Sequence, residues 1–275
     1  MQSAAPNTVP ILGKALRLIE MLASDPESAG RSIQQLAEPA GLSTTSCFRV
    51  LRTLEASGWA VRDPEPRGGY RLSLRLLPLL GGLAGMQRCF DAAQPELERL
   101  AESVGMGTKL SIREGMSAVT VARAEPAGLV AVTNPVGSRF GLALGATGAA
   151  LLSQASDAFV DAVIEASPPE SWNRLGPKAF LRRIEQCRAE GFCVDVGSYH
   201  PQLGGFAVPV QAGTLDVAIT ATGLLQDVEA LDTKSVLRGM RRVRLALQMG
   251  LNGSSAKPDA SPARRRTRSP ICKPE

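Results

Sequence analysis

Leu42-Ser43-Thr44-Thr45-Ser46-Cys47-Phe48-Arg49-Val50-Leu51-Arg52-Thr53-Leu54-Glu55-Ala56-Ser57-Gly58 decides the fold of the first third of this 275-residue chain. Cys47, Val50, Leu51 and Leu54 recur at the spacing of one helical face, which predicts a helix burying that stripe. Ser43 supplies an N-cap hydroxyl and Gly58 a stop. Upstream, Ser32-Ile33-Gln34-Gln35 has the form of a capping box and opens a helix burying Ile33, Leu36, Ala37 and Ala40. Pro39 loosens its last turn and Gly41 ends it. Two short helices joined by Gly41-Leu42-Ser43 make a helix-turn-helix. An earlier helix, starting near Leu12, has Leu12, Ala15, Leu16, Ile19 and Leu22 as its core face. Trp59-Ala60-Val61-Arg62 and Tyr70-Arg71-Leu72 alternate apolar and polar across the turn-rich segment 63–69, which predicts a β-hairpin. Three helices and a hairpin make a winged helix.

The outward face of the third helix carries Thr44, Thr45, Ser46, Phe48, Arg49 and Arg52, and Glu55 is its only carboxylate. Hydroxyls and free N–H groups at a helix start attract phosphate. Arginine reads guanine in two-point fashion, and a recognition helix enters the major groove with its N-terminal residues first. Ser43, Thr44, Thr45, Ser46, Phe48, Arg49 and Arg52 are therefore candidate DNA contacts, and Arg67 of the hairpin would reach a neighbouring phosphate or the minor groove. The bland alternative is a solvated face on a winged helix that binds protein.

The chain is 44% apolar and 21% charged, ordinary for a globular protein with real cores, and its length suits two domains at about 100–200 residues each. No apolar run reaches the ~18 residues of a membrane-spanning helix, and the first residues lack the layout of a signal peptide. A cytoplasmic protein without a membrane partner is expected. The single histidine, His200, excludes multi-histidine metal and catalytic sites. The five cysteines, at 47, 89, 187, 193 and 272, form no CxxC pair, so no zinc site, disulfide framework, metal or cofactor is expected. Net charge is +2 over residues 1–80, −1 over 81–251 and +4 over 252–275. The basic character thus lies largely in the tail, read as a disordered appendage that either touches phosphate non-specifically or simply stays solvated.

Residues 74–90 are apolar-rich with Gly81, Gly82 and Gly85 among them, which predicts a kinked linker helix that pairs with a second copy. A helix near 94–104 is followed by strands at 108–113, 118–124 and 129–133, then helices at 146–153, 157–166 and 178–190. Strands at 192–197, 206–211 and 216–222 and a last helix at 229–249 complete an α+β domain. Gly141-Leu142-Ala143-Leu144-Gly145-Ala146-Thr147-Gly148 is a glycine-punctuated loop entering a helix, which offers free backbone N–H groups to an anion. Thr220 and Thr222 project to one face of their strand.

Gly13-Lys14-Ala15-Leu16-Arg17-Leu18-Ile19, Leu36-Ala37-Glu38-Pro39-Ala40-Gly41-Leu42-Ser43, the run from Arg49 to Gly58 and Tyr70-Arg71-Leu72 closely resemble the IclR family of bacterial transcriptional regulators. The similarity extends more weakly over residues 10–250. The resemblance implies a winged helix-turn-helix DNA-binding domain (10–73) joined by a linker helix (74–90) to a GAF-like effector-binding domain (91–251). A flexible N-terminus (1–9) and the disordered basic tail (252–275) flank them. It further implies a homodimer or homotetramer on a pseudo-palindromic double-stranded DNA operator, with RNA polymerase as a partner if the protein activates. Ala146, Thr147, Asp195, Gly205, Thr220 and Thr222 match the family's effector-contact positions, implying a small carboxylate-bearing effector. Two departures stand out. Ala149 replaces a lysine usual after the loop glycine, so that Arg139 either stands in as the cation or is simply exposed, and Gly205 stands where many members have a bulkier side chain, implying a wider pocket.

Two rival readings fit the sequence less well. An enzyme would need Ser198-Tyr199-His200 and Asp195 to converge, yet sequence neighbours rarely do, and no G-x-S-x-G elbow or phosphate-binding loop is present. A ligand-independent architectural DNA-binder leaves about 160 residues without a task.

Overall fold

The computed structural model describes residues 9–24, 30–64, 69–128, 132–172 and 174–252. It divides into two compact units, Met1–Ala84 and Gly85–Glu275. Arg67 and residues 253–275 of the basic tail lie outside the described residues.

In the first unit, α1 (Pro10–Ala23), α2 (Ile33–Ala37) and α3 (Thr44–Ala56) precede an antiparallel pair, β1 (Ala60–Arg62) and β2 (Tyr70–Leu72). The capping box on α2 forms in both directions: Gln35 N donates to Ser32 Oγ at 3.3 Å and Ser32 N to Gln35 Oε1 at 2.8 Å. Leu18, Leu36, Cys47 and Leu51 are fully enclosed, with Tyr70 and Ala60 closing the core from the hairpin. Val50 only packs against its edge. The α1 stripe differs from expectation. Leu18 and Leu22 are its buried residues, whereas Leu12 and Leu16 are 58% and 52% exposed. The helix carries two apolar stripes, and periodicity alone does not say which one meets a core.

The linker differs too. Leu74–Leu83 is a 3-10 helix containing Pro78, whose missing N–H interrupts an α-type hydrogen-bond ladder. The helices expected at the end of the linker and at 94–104 are one continuous helix, α4 (Ala84–Val104).

The second unit is built on six antiparallel strands: β3 (Gly107–Glu114), β4 (Ser117–Ala124), β5 (Arg139–Gly141), β6 (Cys193–Val196), β7 (Leu203–Ala212) and β8 (Leu215–Leu224). Their order is β5-β4-β3-β8-β7-β6. The expected strand at 129–133 falls partly outside the described residues, and Val132 and Thr133 are irregular; β5 takes the edge position instead. Alternation along β8 separates two cores. Val217, Ile219 and Ala221 face α4, α8 (Leu225–Ala230) and α9 (Thr233–Asn252), joining Leu97, Leu100, Val236, Met240 and Val243. Ala218, with Ala207 of β7, faces α5 (Gly145–Leu152), α6 (Asp157–Ala166) and α7 (Pro177–Glu190). The single expected C-terminal helix is thus two. Asp232 starts the second by accepting from Ser235 N at 3.1 Å and Lys234 N at 3.3 Å, a cap that divides one apolar period into two elements.

The α5 side of the sheet is floored by small residues, which lets α5 lie close. Gly148 is required there, because a Cβ would sit 1.9 Å from Leu142 O. Cys193 Sγ donates to Ala146 O at 3.3 Å, tying α5 to β6.

Candidate functional site

Each unit presents one chemically distinctive surface. On the first it is α3. Ser43 caps the helix, accepting from Ser46 N at 3.2 Å while its hydroxyl donates to Ser46 Oγ at 3.0 Å. These two serines therefore shape the helix start, and Lys14 Nζ holds the preceding turn by donating to Gly41 O at 2.7 Å. Thr44, Thr45, Phe48, Arg49 and Arg52 are exposed, whereas Ser46 is half-buried. No acidic residue lies in the first turn of α3, leaving its positive end uncompensated. Arg52 is already engaged, its Nη1 lying 3.0 Å from Glu55 Oε2. Arg49 has no ion-pair partner among the described residues. It can thus meet a phosphate or guanine without first breaking a bond.

On the second unit a cavity of about 300 Å3 opens beside α5. All six residues implied by the resemblance line it: Ala146, Thr147, Asp195, Gly205, Thr220 and Thr222. Register explains their convergence. Lys109 of β3 pairs with Thr220, Thr220 with Ala207, Thr222 with Gly205, and Gly205 with Asp195, placing these positions on one face in adjacent rows. The α5 start contributes Gly145, Ala146 and Thr147. Its N-cap, Leu144, has no side-chain cap, so the helix opens with N–H groups unclaimed by a side chain. Thr147 Oγ1 and Thr220 Oγ1 are 3.0 Å apart and bonded across the gap between helix and sheet.

Asp195 is buried but already satisfied. Arg183 Nη1 lies 3.1 Å from its Oδ1, and the Ser198 hydroxyl, Ser198 N and Tyr199 N all donate to the carboxylate. It fixes the 198–199 turn that forms one wall. Ser198 Oγ also accepts from Arg183 Nη1 at 2.8 Å, while His200 Nδ1 accepts from Gln202 N at 3.2 Å. Ser198 and His200 therefore do not form a nucleophile–base pair. Gly205 has a different meaning from the one its sequence position suggested. A Cβ there would lie 2.6 Å from Ala221 O, so the strand packing itself requires glycine.

The cation of the cavity is Lys109, which sequence reasoning missed. Of the two readings of Arg139, the exposed one holds: it pairs with Glu114 on an exposed edge and does not line the cavity. Lys109 is 7% exposed; its Nζ donates to Asn134 Oδ1 at 2.6 Å and lies 4.6 Å from the centroid of the Phe140 ring. Burial lowers its pKa from 10.5 to about 8. The Thr133 hydroxyl, also on the wall, is out of solvent and has no hydrogen-bond partner among the described residues.

A winged helix with an exposed arginine on its second helix-turn-helix element, carried on the same chain as a cavity-bearing α+β domain, is the layout of a transcriptional regulator. Residues 12–64 match the IclR helix-turn-helix domain, and residues 84–246 match the model described as bacterial transcriptional regulator IclR C-terminal. The chain belongs to the IclR family, whose members are transcriptional regulators and not enzymes. It is similar to the regulator BhcR of Paracoccus denitrificans, at 26% identity over 219 residues covering 77% of this chain and 76% of that protein. The regulator XynR of Escherichia coli is 23% identical, with 88% and 98% of the two chains covered. Among solved structures, an IclR homologue from Microbacterium hydrocarbonoxydans complexed with 4-hydroxybenzoate superposes with a TM-score of 0.66 at 22% identity, covering 88% of this chain and 99% of that one, and shares the fold. Among the described residues, no helix is long and apolar enough to cross a membrane.

Proposed function

We propose that this protein is an effector-controlled repressor or activator that acts in the cytoplasm as a dimer or dimer of dimers. The α3 helices of one dimer would enter successive major grooves about 34 Å apart on a pseudo-palindromic operator. Thr44, Thr45, Phe48, Arg49 and Arg52 would make the contacts, with Ser43 and Ser46 setting the helix start and Arg67 reaching a neighbouring phosphate or the minor groove. Leu74 and Leu77, 78% and 61% exposed, support pairing of the linker with a second copy, as an isolated chain would leave them in water. RNA polymerase is the further partner of an activator.

The observation that carries the effector reading is the cavity beside α5. Its volume is at the lower end of the ~300–1,000 Å3 typical of small-molecule sites, and the uncapped start of a helix borders it. A small carboxylate suits that polarity, and the 4-hydroxybenzoate held by the Microbacterium homologue is of this class. Ala146, Thr147, Gly205, Thr220 and Thr222 would touch the ligand, with Asp195 holding the wall. Such a ligand regulates only by binding one arrangement of the protein better than another. Titration of the full chain against its own upstream DNA, with and without a panel of small carboxylates, tests the reading. The expected result is specific binding whose midpoint one carboxylate moves; binding indifferent to every carboxylate would leave the architectural alternative.

A further inference from the structure

We propose that Lys109 is the charge-reading residue of the cavity, whose ammonium takes the anionic group of the effector and makes the site discriminate against neutral isosteres. This rests on the effector-cavity reading above and names the side chain that would set its selectivity.

Geometry supports the assignment first. Lys109 is 7% exposed in the middle of the sheet and lines the cavity through which a ligand would reach it. No carboxylate lies within ion-pair distance of its Nζ among the described residues; the cavity's one buried acid, Asp195, is held by Arg183. Its other neighbours are Asn134 Oδ1, which accepts one hydrogen bond, and the Phe140 ring, so the ammonium has donor capacity left over. The remaining titratable groups on the wall are Tyr199, more than half exposed, and His200, which is exposed. Neither balances the charge. An ammonium buried without a counter-ion costs stability, and the lowered pKa expresses that cost. An anion seated on Nζ would supply the missing counter-charge, and the orphaned Thr133 hydroxyl offers it a second donor. A lysine kept only for packing would gain nothing from such placement.

The test uses the full-length protein, Lys109→Met and Lys109→Arg, with benzoate and benzamide as a matched pair at equal ionic strength. Calorimetric titration and thermal unfolding are read at pH 7. Benzoate should bind the wild type and stabilise it more than benzamide does. Lys109→Met should weaken benzoate ~10- to 100-fold, the loss of one charge-assisted bond, while its unliganded melting temperature stays level or rises. Lys109→Arg should retain the preference for the anion. Equal responses to benzoate and benzamide in the wild type, including no response to either, overturn the assignment. So does benzoate affinity unchanged in Lys109→Met, or a fall in its unliganded melting temperature with Lys109→Arg also losing anion preference, which would mark a purely structural lysine. Wild-type binding to upstream DNA, measured alongside, fails only if the regulator reading itself fails.

Discussion

Arg49 on α3 and Lys109 in the cavity are both cations without a carboxylate partner among the described residues, and they stand in opposite environments. Arg49 is exposed, so water solvates its charge and folding is nearly indifferent to it. Lys109 is buried, so its charge opposes the fold. The difference separates two kinds of recognition surface. An exposed cation can be exchanged with little effect on stability and will act in a salt-dependent way on a polyanion. A buried one can be removed with a gain in stability and is expected to act on one enclosed anion.

Four experiments break or sharpen that contrast. The largest effect is expected from the support beneath α3: Leu51 is fully enclosed, and Leu51→Ala should cost ~2–5 kcal/mol in urea unfolding. Loss of DNA binding in that variant would then follow unfolding, not contact. Next comes the pH dependence of Lys109. Between about 8 and 10.5 the unfolded chain holds a proton on this amine that the folded protein has released, so wild-type stability rises with pH across that window, by up to about 3 kcal/mol. Lys109→Met lacks the rise, so unfolding curves at pH 7.5 and 10 should draw the two proteins together. Parallel curves would mean that the amine is well solvated. Third, Arg49→Ala should weaken operator binding by ~1–3 kcal/mol and leave the melting temperature unchanged. Arg52→Ala should do less, since Arg52 must first leave Glu55. The smallest effect is expected from Thr222→Val, which removes a hydroxyl from the cavity wall and should weaken effector binding by ~0.5–1.5 kcal/mol. The effector-dependent shift of a reporter should fade while operator binding persists; an undiminished response would remove Thr222 from the ligand's surroundings.

The two surfaces were unequally legible in the sequence. On α3, cap, core stripe and outward face all follow from residues within a single helix, so local rules sufficed. The same rules misassigned α1, where Leu12 and Leu16 look as apolar as Leu18 and Leu22 and only packing chooses between them. The cavity is assembled from β3, β6, β7, β8, α5 and the 132–134 segment, which no spacing brings together. The loop at Ala146 and Thr147 and the shared face of Thr220 and Thr222 were readable locally, but their grouping with Asp195 and Gly205 in one pocket came from family resemblance. Lys109 was invisible because a lysine in an alternating strand reads as solvent-facing. The available signal was parity: Lys109 and Ser111 fall opposite Leu110 and Ile112. That this face is the one shared with Thr220 and Thr222 depends on β3 lying beside β8. The linker broke expectation for a local reason, the missing N–H of Pro78, which composition alone underweighted.

The most direct measurement is a gel-shift titration, at low ionic strength, of the full chain and its Arg49→Ala variant against the DNA upstream of its own gene. Tight, saturable wild-type binding that competitor DNA does not displace, with the variant about ten- to a hundredfold weaker, is the predicted result. Binding by neither protein, or identical curves for both, would contradict the account of α3 as the DNA-reading element.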